Sequence, residues 1–398
     1  MSAIDPKQSS VQLDTSDVDP RVGQPVVFAE LWDPCNATDI RRWVQGMDYP
    51  NPIHWNEEFA RASKFGGIIA PQSFVINMDY GHGAPPSCVG KIPGSHLIFG
   101  GEEWWFYGTP VRPGDKLLQE RRFDGYKIAD TKFAGPTMFS RGDTIHRNQH
   151  GSLVAKEQAT AIRYLRDEAL KRGMYKTDQS GPRQWSEEEL QEIAKIRHAW
   201  ILSNRNGVSP RYAAVKVGDK LPRRVVGPHT QVTFALECRS FRQNVWGTWA
   251  FKIPAGIKDP WTTQDSGFLG GMTYDEEGCK IDPRMRDGLF YGPSSGHINR
   301  DRAGKIGMYR AYGYGATMGA WFHDYMAYWA GHDGYVWHSK SQFRGPAFEG
   351  DATYIDGEVV EKLDRSPYGR PVVVLKVRMT NQDGAVLVDG TAEVELPY

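Results

Sequence analysis

The sequence contains 398 residues, a length that corresponds to two or three domains. Its composition, with 40% hydrophobic and 24% charged residues, is that of a soluble globular protein. The net charge of zero gives no reason to expect nucleic acid or an anionic membrane as a partner. The four cysteines lack Cys-x-x-Cys spacing, which excludes a zinc ribbon and a dithiol redox motif.

The first segment of the chain, residues 1–20, is polar and predicts a mobile tail. It has neither the apolar centre nor the cleavage site of a signal peptide, and no later run approaches the length of a membrane span. We therefore expect a reduced, cytoplasmic location. A strand is predicted at 26–29, and Ile40, Trp43 and Val44 recur at the spacing of a short helix over 39–45.

A turn is predicted at residues 48–54, because Pro50 and Pro52 exclude a helix there. The turn brings two ionisable side chains, Asp48 and His54, to one place. Such a pair suits the transfer of a proton to or from a reacting group.

A helix is predicted from about Ala70 through residue 78, since Pro71 is tolerated in the first turn of a helix. The start of a helix offers backbone N–H groups, here near Gln72, to an anion or a carbonyl oxygen. After it, antiparallel strands are predicted between 103 and 164.

The same order of signals occurs twice in the chain, which predicts an internal repeat. We therefore expect two copies of one unit, each with a helix and antiparallel strands. The corresponding segments are 22–23 and 217–218, His54 to Ala60 and His297 to Ala303, 110–115 and 346–351, and 148–151 and 381–384.

The repeat divides the chain into a first unit at 21–168, a linker with a helix at 169–208 and a second unit at 209–398. In the linker, residues 186–189 form a capping box that opens a helix. The second unit carries an insertion rich in aromatic residues at 241–288. It is either a loop packed on the sheet or a wall of a pocket for an apolar ligand.

The segment Asn51-Pro52-Ile53-His54, followed by Phe65-Gly66-Gly67-Ile68-Ile69-Ala70-Pro71, resembles the MaoC-like dehydratases and (R)-specific enoyl-CoA hydratases. The resemblance implies an α+β fold, the double hot-dog, in which each unit wraps a curved antiparallel sheet around a long helix. The first half resembles the FAS1-like dehydratases.

The resemblance also implies that His54 is catalytic, with an aspartate five positions before it as its partner. Here Asp48 stands six positions before His54 and Tyr49 five, so both residues are candidates. In the second unit Tyr291 stands six positions before His297, so that copy is expected to have lost the motif and His297 to be structural.

Further residues are expected to contact the substrate. The glycines and the inserted tryptophans are expected to hold a bulky acyl group, cyclic or aromatic. The substrate-binding candidates are Asn51, Gly67, Ala70, Gln72, Trp246, Trp261, Gly313 and Gly315.

Three other motifs fit their usual contexts poorly. Residues 292–296 match Gly-x-Ser-x-Gly, but the repeat places them in a turn and not in a nucleophile elbow. Residues 313–319 miss the dinucleotide-binding pattern by one position. His323, His332 and His338 do not have the spacing of metal ligands, so no metal is expected.

The resemblance implies a hydro-lyase that hydrates a 2-enoyl-CoA or dehydrates a 3-hydroxyacyl-CoA, in the breakdown of fatty acids or ring compounds. It implies no cofactor beyond the coenzyme A thioester itself, and it is compatible with a homodimer. Two alternatives stay open: an acyl-CoA thioesterase, and a non-catalytic acyl-binding subunit if Tyr49 replaces the acid.

Overall fold

The computed structural model describes residues 11–26, 33–78, 85–172, 181–242, 295–297, 300, 303 and 308–398. Most of the strand predicted at 26–29 and nearly all of the insertion at 241–288, with Trp246 and Trp261, lie outside these residues. So does most of the Gly-x-Ser-x-Gly segment at 292–296.

The described strands form one antiparallel sheet in the order β2-β3-β4-β1-β6-β9-β8-β7-β5. The first four strands and the last five form its two halves, and β1 pairs with β6 where the halves meet. The strands are β1 Ser95–Phe106, β2 Leu117–Thr131, β3 Gly135–Asn148, β4 Leu153–Leu165, β5 Arg224–Val226, β6 Tyr335–Phe343, β7 Thr353–Leu363, β8 Val372–Asn381 and β9 Val386–Glu395.

Helices connect and cover these strands. Side chains that cap the first turn fix where α1, α4 and α5 begin. The α-helices are α1 Ala37–Gly46, α2 Glu57–Ala62, α3 Arg166–Lys171, α4 Glu187–Ser203, α5 Gln231–Ser240 and α6 Gly315–Ala330. The 3-10 helices include Pro52–His54, Gln72–Met78, Pro85–Ser87 and Ser295–His297.

The predicted repeat reappears as equivalent hydrogen bonds. In each unit a histidine Nδ1 lies within hydrogen-bond distance of the carbonyl 15 residues later in the chain. The next residue then donates its N–H to the segment between two strands. The pairs are His54–Ile69 at 2.8 Å and His297–Tyr312 at 2.7 Å, then Ala70–Val111 and Gly313–Ala347, both at 2.8 Å.

Helix α6 lies on the sheet of the second unit, and both surfaces are apolar. Trp321, Phe322 and Met326 of α6 are almost wholly buried in this core. Burial of each large apolar side chain contributes roughly 1.5–3 kcal/mol. The strands supply the apolar residues Ile355, Val359, Val373, Leu375, Val377, Met379, Val388, Ala392 and Val394.

The first unit differs from the second in what faces its interior. Among the described residues it has no long central helix, and the helix predicted from Ala70 is instead a 3-10 helix from Gln72 to Met78. The helical residues begin directly after Pro71, and the Ala70 N–H donates to Val111 O. The buried residues of its strands are often polar, and include Glu102, Gln119, Arg121, Ser140, Thr144, His146, Glu157 and Arg163.

Candidate active site

The side chain of His54 lies at the end of the 3-10 helix Pro52–His54, capped by Asn51. The imidazole is buried, and its Nδ1 is 2.8 Å from Ile69 O. Because a carbonyl oxygen only accepts, we assign the proton to Nδ1 and the free lone pair to Nε2. Burial lowers the pKa of His54 to about 3, so the ring is neutral near pH 7. Such a ring can accept a proton at Nε2.

The ring of Tyr49 lies beside His54, with ring centroids 5.2 Å apart. Tyr49 is buried, and its hydroxyl oxygen is 3.5 Å from Asn51 Nδ2. Burial raises the pKa of this phenol far above its ordinary value, so the hydroxyl keeps its proton. Tyr49 is therefore a hydroxyl donor next to a neutral imidazole.

The carboxylate of Asp48 pairs instead with Arg197 of α4, at 2.5 Å. The backbone of Asp48 has a left-handed φ of 51°, the one non-glycine residue with positive φ in the described part of the chain. Arg224 holds this turn by donating from Nη2 to Met47 O at 2.8 Å and to Asp48 O at 3.0 Å. The sequence left Asp48 and Tyr49 open as the partner of His54. Of these two, Tyr49 is the residue whose side chain lies against the His54 ring.

His332 of the second unit contacts this turn. Its Nε2 is 3.1 Å from Asn51 Oδ1, and its backbone N–H donates to Gly207 O at 2.8 Å. A Cβ on Gly207 would lie 2.2 Å from His332 Cε1, so glycine is required there. The sequence interpretation considered His332 only as a metal ligand, because no local pattern links it to a residue 281 positions away.

The glycine loop before the 3-10 helix borders the same turn. Nothing lies within 4 Å of a Cβ placed on Gly66 or Gly67, because Gly66 is exposed and Gly67 is half-buried at the protein surface. Gln72 lies just beyond, and its Nε2 donates to Val336 O of β6 at 2.8 Å. The Ala70 N–H is already bonded, so Ala70 offers no free donor to a ligand.

The glycines of the second unit lie in a different environment. A Cβ on Gly313 would meet Phe234 Cε1 at 3.3 Å, and one on Gly315 would meet Phe99 Cβ at 2.6 Å. Phe234 and Phe99 thus lie next to the positions where room for an acyl group was expected, and contact of Gly313 and Gly315 with a substrate stays a prediction. Trp246 and Trp261 lie outside the described residues.

The three histidines considered as metal ligands have separate surroundings. His338 Nε2 is 2.9 Å from Glu103 Oε1, the His323 ring packs on Phe106, and His332 contacts Asn51. No group of three or more histidine, cysteine, aspartate or glutamate residues in the described ranges could hold a metal ion. None of the helices described is long and apolar enough to cross a membrane.

Comparison with known sequences gives two findings. Residues 22–157 match the family described as FAS1-like, dehydratase domain region. A probable enoyl-CoA hydratase alpha subunit from Thermomonospora curvata is 23% identical over 159 residues, which cover 37% of this chain and 47% of that protein. The match thus spans about half the length of that relative.

Comparison with solved structures shows the fold over nearly the whole chain. A MaoC-like dehydratase has a TM-score of 0.60 at 15% identity, over 95% of this chain and 99% of that one. A putative MaoC domain protein dehydratase from Chloroflexus aurantiacus J-10-fl has a TM-score of 0.55 at 13% identity, over 95% and 96%. A Mycobacterium tuberculosis protein with a double hot-dog fold has a TM-score of 0.51 at 12% identity, over 94% and 96%. The chain therefore has the double hot-dog fold, and its residues 22–157 match the FAS1-like dehydratase region.

Proposed function

We propose that the protein is a hydro-lyase that reversibly adds water across the C2–C3 bond of a 2-enoyl-CoA. The observation that carries this proposal is the buried, neutral His54 with its lone pair on Nε2, in a segment that matches a dehydratase family. An imidazole held in one tautomer is suited to accept a proton from water.

In the hydration direction, His54 Nε2 takes a proton from water while the water oxygen forms a bond to C3. The π electrons move toward C2 and the thioester oxygen, and C2 then receives a proton. Tyr49 is the proposed donor of that proton because its hydroxyl stays protonated beside His54, and the proton that His54 took from water then passes to the Tyr49 oxygen, which restores both groups. For Asp48 to take this part, its carboxylate would have to leave Arg197. Proton transfer and addition of water need no metal or redox cofactor.

The acyl group is proposed to be bulky, cyclic or aromatic. The support for this part is the sequence itself, in which aromatic residues are concentrated at 241–288. Gly67 and Asn51 would then border the substrate, with Gln72 at the start of the 3-10 helix behind them.

The proposal is tested by incubating the purified protein with a panel of enoyl-CoA thioesters and measuring the products by mass spectrometry. Gain of one water on an intact thioester is the expected result. Release of free coenzyme A would instead identify a thioesterase.

A non-catalytic acyl-binding protein is the second candidate. The pairing of Asp48 with Arg197 favours it, because no carboxylate contacts His54 among the residues described. This candidate predicts binding of acyl-CoA by titration calorimetry without conversion of any member of the panel.

A further inference from the structure

The outer face of the sheet carries a pocket at the junction of the two units. It lies across β3, β4, β1 and β6, is open to solvent and has a volume of ≈ 210 Å³. A cavity of about 150 Å³ is enough to hold one benzene ring, so this pocket has room for a ring with a small substituent. A ligand of that size would contact both units at once, because β1 belongs to the first and β6 to the second.

One row of directly paired residues forms the middle of the pocket. Arg141 of β3 pairs with Thr160 of β4, Thr160 pairs with Gly101 of β1, and Gly101 pairs with Gln342 of β6. Both alanines that flank Thr160 in β4 are wholly buried. Since side chains alternate along a strand, Thr160 faces outward, away from the core.

Gly101 forms the floor of the pocket. The pairing of β1 with β4 shifts by one residue between Phe99 and Gly101, which is a β-bulge. A Cβ on Gly101 would lie 2.4 Å from Ser341 O of β6, so a larger residue does not fit. The missing side chain leaves a hollow between the longer side chains of the neighbouring strands, and the backbone itself sets the position of this hollow.

The charged side chains around this hollow are mainly cationic. The three cations that line it are Arg141, Lys340 and Arg344. Of the two acids in the lining, Glu103 pairs with Lys340 at 2.9 Å. Glu102 belongs to the other face of the sheet, where a Cβ on Gly319 of α6 would lie 2.0 Å from its Oε1. The pocket therefore presents a net positive charge to a ligand.

The two arginines have hydrogen-bond donors that the fold does not use. Arg141 is exposed, and its guanidinium has no hydrogen bond or ion pair in the described part of the chain. Arg344 donates from Nη2 to Gln342 Oε1 at 2.5 Å, and its Nε lies 3.8 Å from Asp389 Oδ2. A guanidinium fork matches the two oxygens of a carboxylate, so Arg141 is suited to bind one.

The edge of the pocket opposite to Lys340 is apolar. Phe139 of β3 pairs directly with Ile162 of β4, and Phe343 of β6 lines the same pocket. All three side chains are partly buried, so each keeps some apolar surface open to a ligand. A mostly apolar wall with a few polar groups at fixed positions is typical of sites for small molecules.

We propose that this pocket binds a small carboxylate that carries one apolar ring. The carboxylate pairs with Arg141, and the ring lies over Gly101 against Phe139 and Ile162. The other cations favour the anion by their charge. The inference goes beyond the proposed function and does not rest on it, because the pocket shares no residue with the His54 site.

Titration calorimetry with benzoate at constant ionic strength tests the proposal. Acetate lacks the ring, benzamide lacks the charge, and inorganic phosphate is an anion without an apolar part. Benzoate is expected to bind about tenfold more tightly than each of these three, because it makes both the ion pair and the apolar contact. No binding of benzoate, or equal binding of any one of the three, would overturn the inference.

Two variants locate the ligand. Arg141→Gln removes the cation, and Thr160→Phe places a ring over the cross-strand neighbour Gly101 and fills the hollow. Each should weaken benzoate binding by about tenfold or more. Arg147→Gln is the matched control: Arg147 lies in the same strand as Arg141 but pairs with Glu120 at 3.2 Å, outside the pocket. The control should bind benzoate like the unchanged protein.

Circular dichroism checks that each variant is folded. If Thr160→Phe does not fold, Arg141→Gln decides, since replacement of an exposed side chain leaves the fold intact. Unchanged benzoate binding in Arg141→Gln would place the ligand elsewhere in the protein and overturn the inference. Equal losses in Arg141→Gln and Arg147→Gln would reduce the effect to overall charge and overturn it as well. None of these outcomes depends on whether the protein hydrates an enoyl-CoA.

Discussion

One hydrogen bond of the His54 imidazole determines which of its ring nitrogens can accept a proton. The hydrogen bond to Ile69 O leaves the lone pair on Nε2, and burial keeps the ring neutral. The second unit repeats the contact at His297, whose ring stacks on Tyr314 with centroids 3.9 Å apart. The same backbone arrangement therefore serves a candidate base in one unit and a histidine among tyrosines in the other.

Replacement of His54 by alanine is expected to lower the rate of enoyl-CoA hydration by roughly 100- to 10,000-fold, the usual contribution of a positioned base. His54→Gln is the matched variant because its amide can still bond Ile69 O but cannot act as a base. Both are measured by steady-state kinetics, with circular dichroism to check the fold. Retained activity in a folded His54→Gln protein would remove His54 from the mechanism.

A second pair of variants distinguishes the roles of Tyr49 and Asp48. Tyr49→Phe should lose about 100-fold or more in kcat, because the ring keeps its place while the proton donor is lost. Asp48→Asn should change kcat only slightly. The Asp48 carboxylate forms a partly exposed pair with Arg197, and such a pair contributes little to stability. The reverse order of effects would assign the proton donor to Asp48.

At the scale of elements, Arg224 of β5 joins three segments. Its guanidinium donates to Trp321 O of α6 at 3.0 Å and to the two carbonyls of the Met47–Asp48 turn, and it lies 4.5 Å from the Trp200 ring of α4. The side chain is fully buried. The linker helix, the central helix and the candidate catalytic turn are thus fixed by one residue.

Arg224→Met is expected to reduce the free energy of unfolding by about 3 kcal/mol or more, because three carbonyl oxygens lose their donor at roughly 1–3 kcal/mol for each one left buried and unsatisfied. Urea denaturation measures this change. The neighbouring Arg223→Met is the control: Arg223 pairs with Asp356 at the surface, so a change below about 1 kcal/mol is expected. Equal effects of the two variants would contradict the role assigned to Arg224.

Local sequence patterns were enough to predict two of the helices. The helical spacing over 39–45 gave α1, and the capping box at 186–189 gave α4. The choice between Asp48 and Tyr49 could not be made, because it depends on the left-handed φ of Asp48 and on arginines 149 and 176 positions away. His332 was missed for the same reason, since its partner Asn51 is 281 positions away.

At the scale of the whole molecule, burial shifts the pKa values of histidines and of acids in opposite directions. His54, His96, His146, His229 and His323 all have their pKa lowered to about 3 by burial. Burial also raises the pKa of Glu102 and Glu237 to about 8 and that of Asp324 to about 7. The buried histidines stabilise the folded state at pH values above their ordinary pKa. The buried acids stabilise it at pH values below theirs.

Stability should therefore be highest near pH 6.5. Below it the unfolded chain gains protons on histidines that the folded state keeps neutral, and above it the buried acids of the folded state keep protons that the unfolded chain has already released above about pH 4.5. His146 is the best single test, because neither ring nitrogen has a partner among the described residues. His146→Phe should lower the dependence on pH between about 6 and 4 by about 1.4 kcal/mol per unit.

The measurement is urea denaturation at a series of pH values. His150→Phe is the control, since His150 lies in the exposed turn between β3 and β4. The same pH dependence in His146→Phe and in the unchanged protein would contradict this account.

The pairing of β1 with β6 has a consequence during synthesis on the ribosome. Trp105 pairs with His338, 233 positions later, so one edge of β1 has no partner until that distant strand has been made. At common translation rates the interval is on the order of tens of seconds. An unpaired strand edge is a template for association with another chain. The nascent protein is thus most exposed to aggregation after its first unit has emerged, and slow translation of the linker and the insertion would lengthen that period.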